Sequence, residues 1–229
     1  MVRRDVRTLT HSEAKSYYDR FGRMQDTQAF YEDAAINAMV ANAAMAQVQF
    51  VVEIGCGTGR LALELLKQHL PDTACYLGTE ISSTMVAIAG ERLRPYASRA
   101  SVMPTDGSPV LPVEAASVDR LVATYVFDLL GEADRRRFID EAARVLKAGG
   151  LLCLVGITGG KNAISRAVMS AWRGIFKLNP RLVGGCRPTR AIEYLSAGSW
   201  DIRYHDVLVS WGVASEVVIA SKTTAGAHA

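Results

Sequence analysis

The sequence lacks the features that would tie it to a metal, a membrane span or a polyanion. Its four cysteines, Cys56, Cys75, Cys153 and Cys186, form no C-x-x-C pair, and its four histidines, His11, His69, His205 and His228, form no H-x-x-x-H pattern. Without such spacing neither a zinc site nor a thioredoxin-type redox site is expected. The clearest apolar run, Leu151 to Ile157, is far too short for a bilayer, which needs about 20 residues. A formal net charge of +3 over the whole chain is too weak to call for nucleic acid. Met1 to Leu9 is charged but leads into no apolar stretch, so a signal peptide is not expected and a reducing cytoplasm is the default compartment.

What remains is globular. With 229 residues, 49% hydrophobic and 21% charged, the chain is long enough for one well-cored domain with a modest cap. Residues 11–45 read as helical, a candidate cover over 1–45. Short β-branched or apolar stretches at 49–54, 74–80, 100–104, 118–124 and 151–157 read as strands. Helical spacing fills 58–70, 82–93 and 132–146 between them. This alternation predicts an α/β fold with a doubly wound, mostly parallel sheet. The end differs: 201–209 and 213–221 read as two strands joined tightly at Trp211 and Gly212, an antiparallel hairpin. Residues 158–198 then form a cap or insertion, and 223–229 read as a disordered tail.

The chemistry concentrates in Val51-Val52-Glu53-Ile54-Gly55-Cys56-Gly57-Thr58-Gly59-Arg60. A strand runs into glycines that permit a sharp turn and close approach of a ligand to the backbone, and then into a helix N-terminus with free N–H donors. The spacing is G-x-G-x-G, and Arg60 stands where a dinucleotide fingerprint wants a third Gly or Ala. Glu53, at the lip of this loop, suits a positively charged amino group better than a pyrophosphate. Glu80 ends the second strand ahead of Ile81, where an acid accepts hydrogen bonds from both ribose hydroxyls. Asp106 and Gly107 follow the third strand, placed to accept from an adenine amine. The fourth strand ends at Thr124-Tyr125. All these positions lie at the carboxyl ends of strands, where open α/β sheets bind ligands. Asp119, which opens the fourth strand, reads as structural.

The set Glu53, Gly55, Gly57, Gly59, Glu80 and Asp106, with the Leu146-Lys-Ala-Gly149-Gly150-Leu run, resembles the class I S-adenosylmethionine methyltransferases, closest in style to the ubiquinone/menaquinone-biosynthesis type. The resemblance covers roughly residues 15–157. It implies a Rossmann-like seven-stranded sheet whose last strand pair is antiparallel, and S-adenosylmethionine as cofactor. It also implies roles: the glycine loop faces the methionine part, Glu80 with Ile81 the ribose, Asp106 with Gly107 the adenine, and Thr124 the neighbouring strand end. The segment Tyr17-Tyr18-Asp19-Arg20-Phe21 matches helices that cover the cofactor, with Tyr17 counted in its site. The chain departs from the pattern at Glu80, where Asp is commoner, and at Ala148, where Pro is usual. It also has no Asn-Pro-Pro-Tyr type motif after the fourth strand, which argues against amino-group methylation on nucleic acid or protein amide.

The expected reaction is methyl transfer to a small, partly apolar acceptor: a lipid, a quinone-like molecule or a phenol. Such chemistry needs alignment and water exclusion more than acid–base machinery, so no triad is expected. Tyr125 and His11 are the catalytic candidates. Tyr125 reads equally as pocket lining or as packing under the next helix, and a lone His more often belongs to surface or core. A nicotinamide-dependent oxidoreductase and a non-catalytic binding module are the alternatives, the first disfavoured by Arg60. The cap is strongly basic. On a helix over 162–177, Arg166, Arg173 and Lys177 share one face and Ile164, Val168, Ala171 and Ile175 the opposite one. The bland reading is an apolar face buried with the basic face in water. The sharper one is contact with an anionic membrane or admission of an acidic, partly apolar substrate.

Overall fold

The computed structural model describes residues 8–195 and 199–223. The expected tail at 224–229 and the first seven residues lie outside that range, as do 196–198 of the cap. Seven strands form one sheet in the order β3-β2-β1-β4-β5-β7-β6. They are β1 (Phe50–Ile54), β2 (Cys75–Glu80), β3 (Ala100–Pro104), β4 (Val118–Thr124), β5 (Leu146–Ile157), β6 (Trp200–Ser210) and β7 (Val213–Lys222). The first five pair in parallel and β7 pairs antiparallel with both β5 and β6, so the sheet is as the sequence predicts.

Strand order reverses between β1 and β4. Each neighbouring connection therefore leaves on a different face, and a crevice opens above the carboxyl ends of β1, β2 and β4. The central strands are apolar because both faces are covered. Val51, Val52, Leu121, Val122 and Leu152 are fully buried between two clusters of side chains. Asp119 ties two strands together: its Oδ2 accepts from the backbone N–H of Gln49 and Phe50 at 2.9 and 2.8 Å, and its Oδ1 accepts from Lys147 at 3.0 Å. The β6–β7 turn places Trp211 and Gly212 at φ 53° and 82°, the double left-handed geometry of a two-residue hairpin turn.

The helices follow the expected order with local differences. The N-terminal stretch is α1 (His11–Phe21), a 3₁₀ segment (Gly22–Gln28) and α2 (Ala29–Asn42) rather than one continuous run. Gly22 at φ 48° breaks it. Thr10 opens α1 with a capping box, exchanging hydrogen bonds with Glu13. The helix after the glycine loop starts at Arg60, not Thr58 (α3, Arg60–Glu64), because Gly59 is left-handed. It ends in one π-turn at Leu65–His69. α4 (Ser83–Arg92) and α5 (Glu132–Val145) follow.

In the cap, α6 (Ala163–Leu178) is capped by Asn162. The face expected to bury is not the one that does. Ile164 and Ile175 are 73% and 41% exposed, while Ser165, Met169 and Phe176 are buried and Val168 and Trp172 half-buried. The apolar stripe read from sequence and the one that packs are offset around the helix. The underlying sheet accepts the row 165, 169, 172, 176, an i, i+4, i+7, i+11 series. Among the described residues no helix is long and apolar enough to cross a membrane.

Candidate active site

The glycine loop is built by backbone geometry. Gly55 sits at φ 67°, and a β-carbon there would run into the Val126 side chain. Its N–H and that of Cys56 donate to the Thr79 carbonyl at 2.7 and 3.1 Å, which locks the turn to β2. The same strand delivers Glu80. The Glu80 carboxylate is 5% exposed and accepts from the N–H of Gly57 (3.0 Å) and of Ser82 (2.8 Å). Burial raises its pKa against those two bonds. Loop and acid therefore form one unit at the carboxyl edge of the sheet.

Glu53 takes a different position from the one expected. It lies beneath the loop instead of at its lip, 1% exposed, and accepts a 2.6 Å hydrogen bond from the Tyr76 hydroxyl. Burial pushes its carboxyl up to about 7, with the Tyr76 bond opposing. An acid raised from 4.5 holds its proton in the folded state over a range where the unfolded chain releases it. Its stabilising contribution is full below about pH 4.5 and is lost as pH rises through 7. Thermal midpoints measured from pH 5 to 8 are therefore expected to fall with pH, and Glu53→Gln to flatten that fall. An unchanged slope in the variant would show that Glu53 is ionised throughout.

A cavity of about 380 Å³ opens over this edge. Gly55, Gly57, Glu80, Ile81, Gly107, Thr124, Tyr125 and His11 line it. Glu53, Gly59, Asp106 and Tyr17 do not appear on its wall. Asp106 is exposed and closes a local turn by accepting from Ser108 N–H at 2.8 Å. Tyr17 stacks on Phe21 and meets Tyr18 edge-on, so that Tyr18 is the tyrosine facing the cavity. Adjacent helical residues point about 100° apart, and only packing decides which of the two turns inward.

Sequence reasoning missed several wall residues, among them Gln25, Phe138 and Gly185. Gln25 Oε1 is buried without a hydrogen-bond partner among the described residues, 3.3 Å from where a β-carbon on Gly57 would stand. It also missed how the N-terminal segment is held over the cavity. Asp19 accepts from the Ser82 hydroxyl and Thr84 N–H at 2.8 and 3.2 Å, and Lys15 with these bonds holds its pKa down to about 2. Asp26 accepts from Arg92 at 2.6 Å and from the Thr58 hydroxyl. Asp33 and Glu32 pair with Arg60. Arg60, read from sequence only as a departure from a dinucleotide motif, is thus an anchor for α2. The acidic pattern of residues 19–33 was visible, but nothing local gives its partners.

The two catalytic candidates lie at different places on the wall. His11 packs beside Gly107 and stands 3.4 Å from Asp134. Tyr125 stands at the end of β4 with φ 56°, an uncommon conformation for a bulky side chain. Its hydroxyl bonds Ser215 Oγ at 2.9 Å and its ring meets Tyr31 edge-on. Burial drives its pKa far up, so the phenol keeps its proton. Behind it, burial lifts Glu32 to about 7 and Asp128 to about 6. Among the described residues no group of three or more His, Cys, Asp or Glu is placed to hold a metal ion.

Comparison with known proteins adds to this geometry. Residues 51–150 match the family described as a methyltransferase domain. The ubiquinone/menaquinone biosynthesis C-methyltransferase UbiE of Geobacter sulfurreducens is 28% identical over 52% of this chain and 46% of its own length. The chain spans between 5% and 62% of the lengths of the curated relatives it matches. Among solved structures, the (4+2)-cyclase SpnF superposes with a TM-score of 0.73 at 16% identity, covering 96% of this chain and 100% of that one. The geranyl diphosphate C-methyltransferase of Streptomyces coelicolor, solved with Mg2+, geranyl diphosphate and S-adenosyl-L-homocysteine, gives 0.68 at 11% identity over 93% and 97%. At such identities the structural likeness establishes the fold alone.

Proposed function

Because the chain belongs to the class I S-adenosylmethionine-dependent methyltransferases, we propose that it methylates a small, partly apolar acceptor bound at the Tyr125 end of the cavity. A phenolic or quinone-like molecule or a neutral lipid fits best. The observation that carries this reading is the cavity wall. It runs from Glu80 and Gly107 to Tyr125 and Tyr18, is largely apolar, and includes no Lys or Arg among the described residues. The described wall offers no guanidinium or ammonium to neutralise a carboxylate or diphosphate, and burying an unpaired charge is costly. A geranyl diphosphate-like acceptor, as in the Streptomyces neighbour, is therefore disfavoured.

The residues present fit the cofactor. The unpartnered Gln25 Oε1 beside Gly57 suits an ammonium donor. Glu80, pinned through both oxygens yet on the wall, suits ribose hydroxyls, with Ile81 beside it. Gly107, with Asp106 framing its turn, would take the adenine end. Thr124 marks the passage toward the acceptor, Glu53 and Gly59 support the loop from outside the wall, and Tyr17 backs Tyr18. When bound there, the cofactor supplies a methyl group already activated as an electrophile.

The chain's own work is positional. Tyr18, Gln25 and His11, from the N-terminal segment, close over the cavity and exclude water, which makes this segment a cover. Tyr125, protonated and held by Ser215, orients the acceptor by hydrogen bonding and does not remove its proton. His11, beside Gly107, serves the adenine end.

Calorimetric titration with S-adenosylmethionine is expected to show one site per chain, followed by turnover with a panel of apolar phenols. No heat of binding from the folded protein would sink the reading. Fluorescence titration with NADH is expected to be silent, and a response would move the site to the dinucleotide class.

A further inference from the structure

We propose that the tip formed by the last turn of α6 and the 3₁₀ turn after it (Pro180–Val183) docks on the surface of an anionic lipid bilayer. The tip exposes apolar side chains that a soluble surface has no reason to keep together: Ile175 is 41%, Leu178 84% and Leu182 68% exposed. Cations sit at neighbouring positions. Arg173 and Lys177 are exposed and have no acidic partner among the described residues, and Arg181 follows one turn later. α6 itself contains no acid.

The order Ile175, Lys177, Leu178, Arg181, Leu182 alternates groups that enter the acyl boundary with groups that meet headgroup phosphates. A protein partner's interface would instead gather its apolar groups in a centre depleted of charge. Charge complementarity therefore selects an anionic bilayer as the occupant. On the inner side, buried Phe176 anchors the tip to the domain.

The placement connects with the site. Arg181 forms a 3.0 Å ion pair with Glu13 on α1. Two residues beyond the 3₁₀ turn, Gly185 lines the cavity, and the Tyr18 hydroxyl donates to the Gly184 carbonyl at 3.0 Å. A docked tip would lie against the cover of the cavity, on the side where an apolar acceptor leaves the membrane. That last link rests on the acceptor class proposed above; the docking itself does not.

The test is co-sedimentation of the full chain with phosphatidylcholine vesicles, with and without phosphatidylserine. Binding is expected only with phosphatidylserine and should decline as salt is raised. Replacing both Arg173 and Lys177 by alanine is expected to lower the partition coefficient about 25-fold, from about fivefold per cation. Leu178→Ser with Leu182→Ser is expected to lower it about tenfold or more, with melting temperature and S-adenosylmethionine binding unchanged. Equal binding to both vesicle types, no binding by the wild type, or variants that partition like the wild type would each overturn the proposal. So would tip variants that change only the oligomeric state. Cofactor binding is measured separately, so a chain that docks without binding S-adenosylmethionine would sink the methyltransferase reading and leave the docking standing.

Discussion

Glu80→Ala is expected to weaken S-adenosylmethionine binding by 100-fold or more. Two losses add. The carboxylate that would accept from the ribose hydroxyls is gone, and hydrogen bonds to a charged acceptor are worth about 1.5–3 kcal/mol each. The N–H groups of Gly57 and Ser82 also lose their acceptor, so the loop is no longer pre-formed. Buried donors left unpaired cost about 1–3 kcal/mol apiece. Glu80→Gln keeps an acceptor for one of those donors but offers less to the ribose, and should fall between. Calorimetry on both variants, with thermal melts to show that they fold, reads the effect directly. An affinity within threefold of the wild type would remove Glu80 from the site.

The second large effect is on the loop itself. Gly55→Ala is expected to lower stability by about 2–6 kcal/mol, from about 1–3 for the left-handed backbone and about 1–3 for the collision with Val126. For a chain of this size that shifts the melting midpoint by roughly 4–24 °C. The two terms separate in a double variant. Val126→Ala added to Gly55→Ala should relieve the collision but not the strain, recovering part of the loss. Gly90→Ala is the control: it lies within α4, and its β-carbon would meet nothing within 4 Å. That change should stabilise by about 0.5–1 kcal/mol. If Gly55→Ala proved as mild as Gly90→Ala, the loop would have another accessible conformation.

The contrast between Gly55 and Gly90 shows what kind of information the sequence holds. That a glycine ends β1 is legible, because the strand before it and the helix after it announce a turn. That its β-carbon would strike Val126 is not, since the two residues are 71 positions apart. The acids follow the same division. Glu53 and Glu80 both read as ligand groups from their place at strand ends. The structure brings Glu80 onto the cavity wall and turns Glu53 beneath it toward Tyr76. Side chains alternate across a strand, and which face borders the crevice depends on the covering helices.

The carboxyl-end positions, the strand–helix alternation, the terminal hairpin and the glycine loop were determined by the sequence alone. Each rests on local chemistry: β-branched runs, helical spacing, and glycines where φ must be positive. Tertiary structure decided which neighbours became functional. It chose Tyr18 over Tyr17 for the cavity, paired Arg60 with Asp33 and Glu32, and buried Met169 and Phe176 of α6 while leaving Ile164 and Ile175 in solvent. Those choices are made by contacts between segments far apart in the chain, which no local pattern encodes.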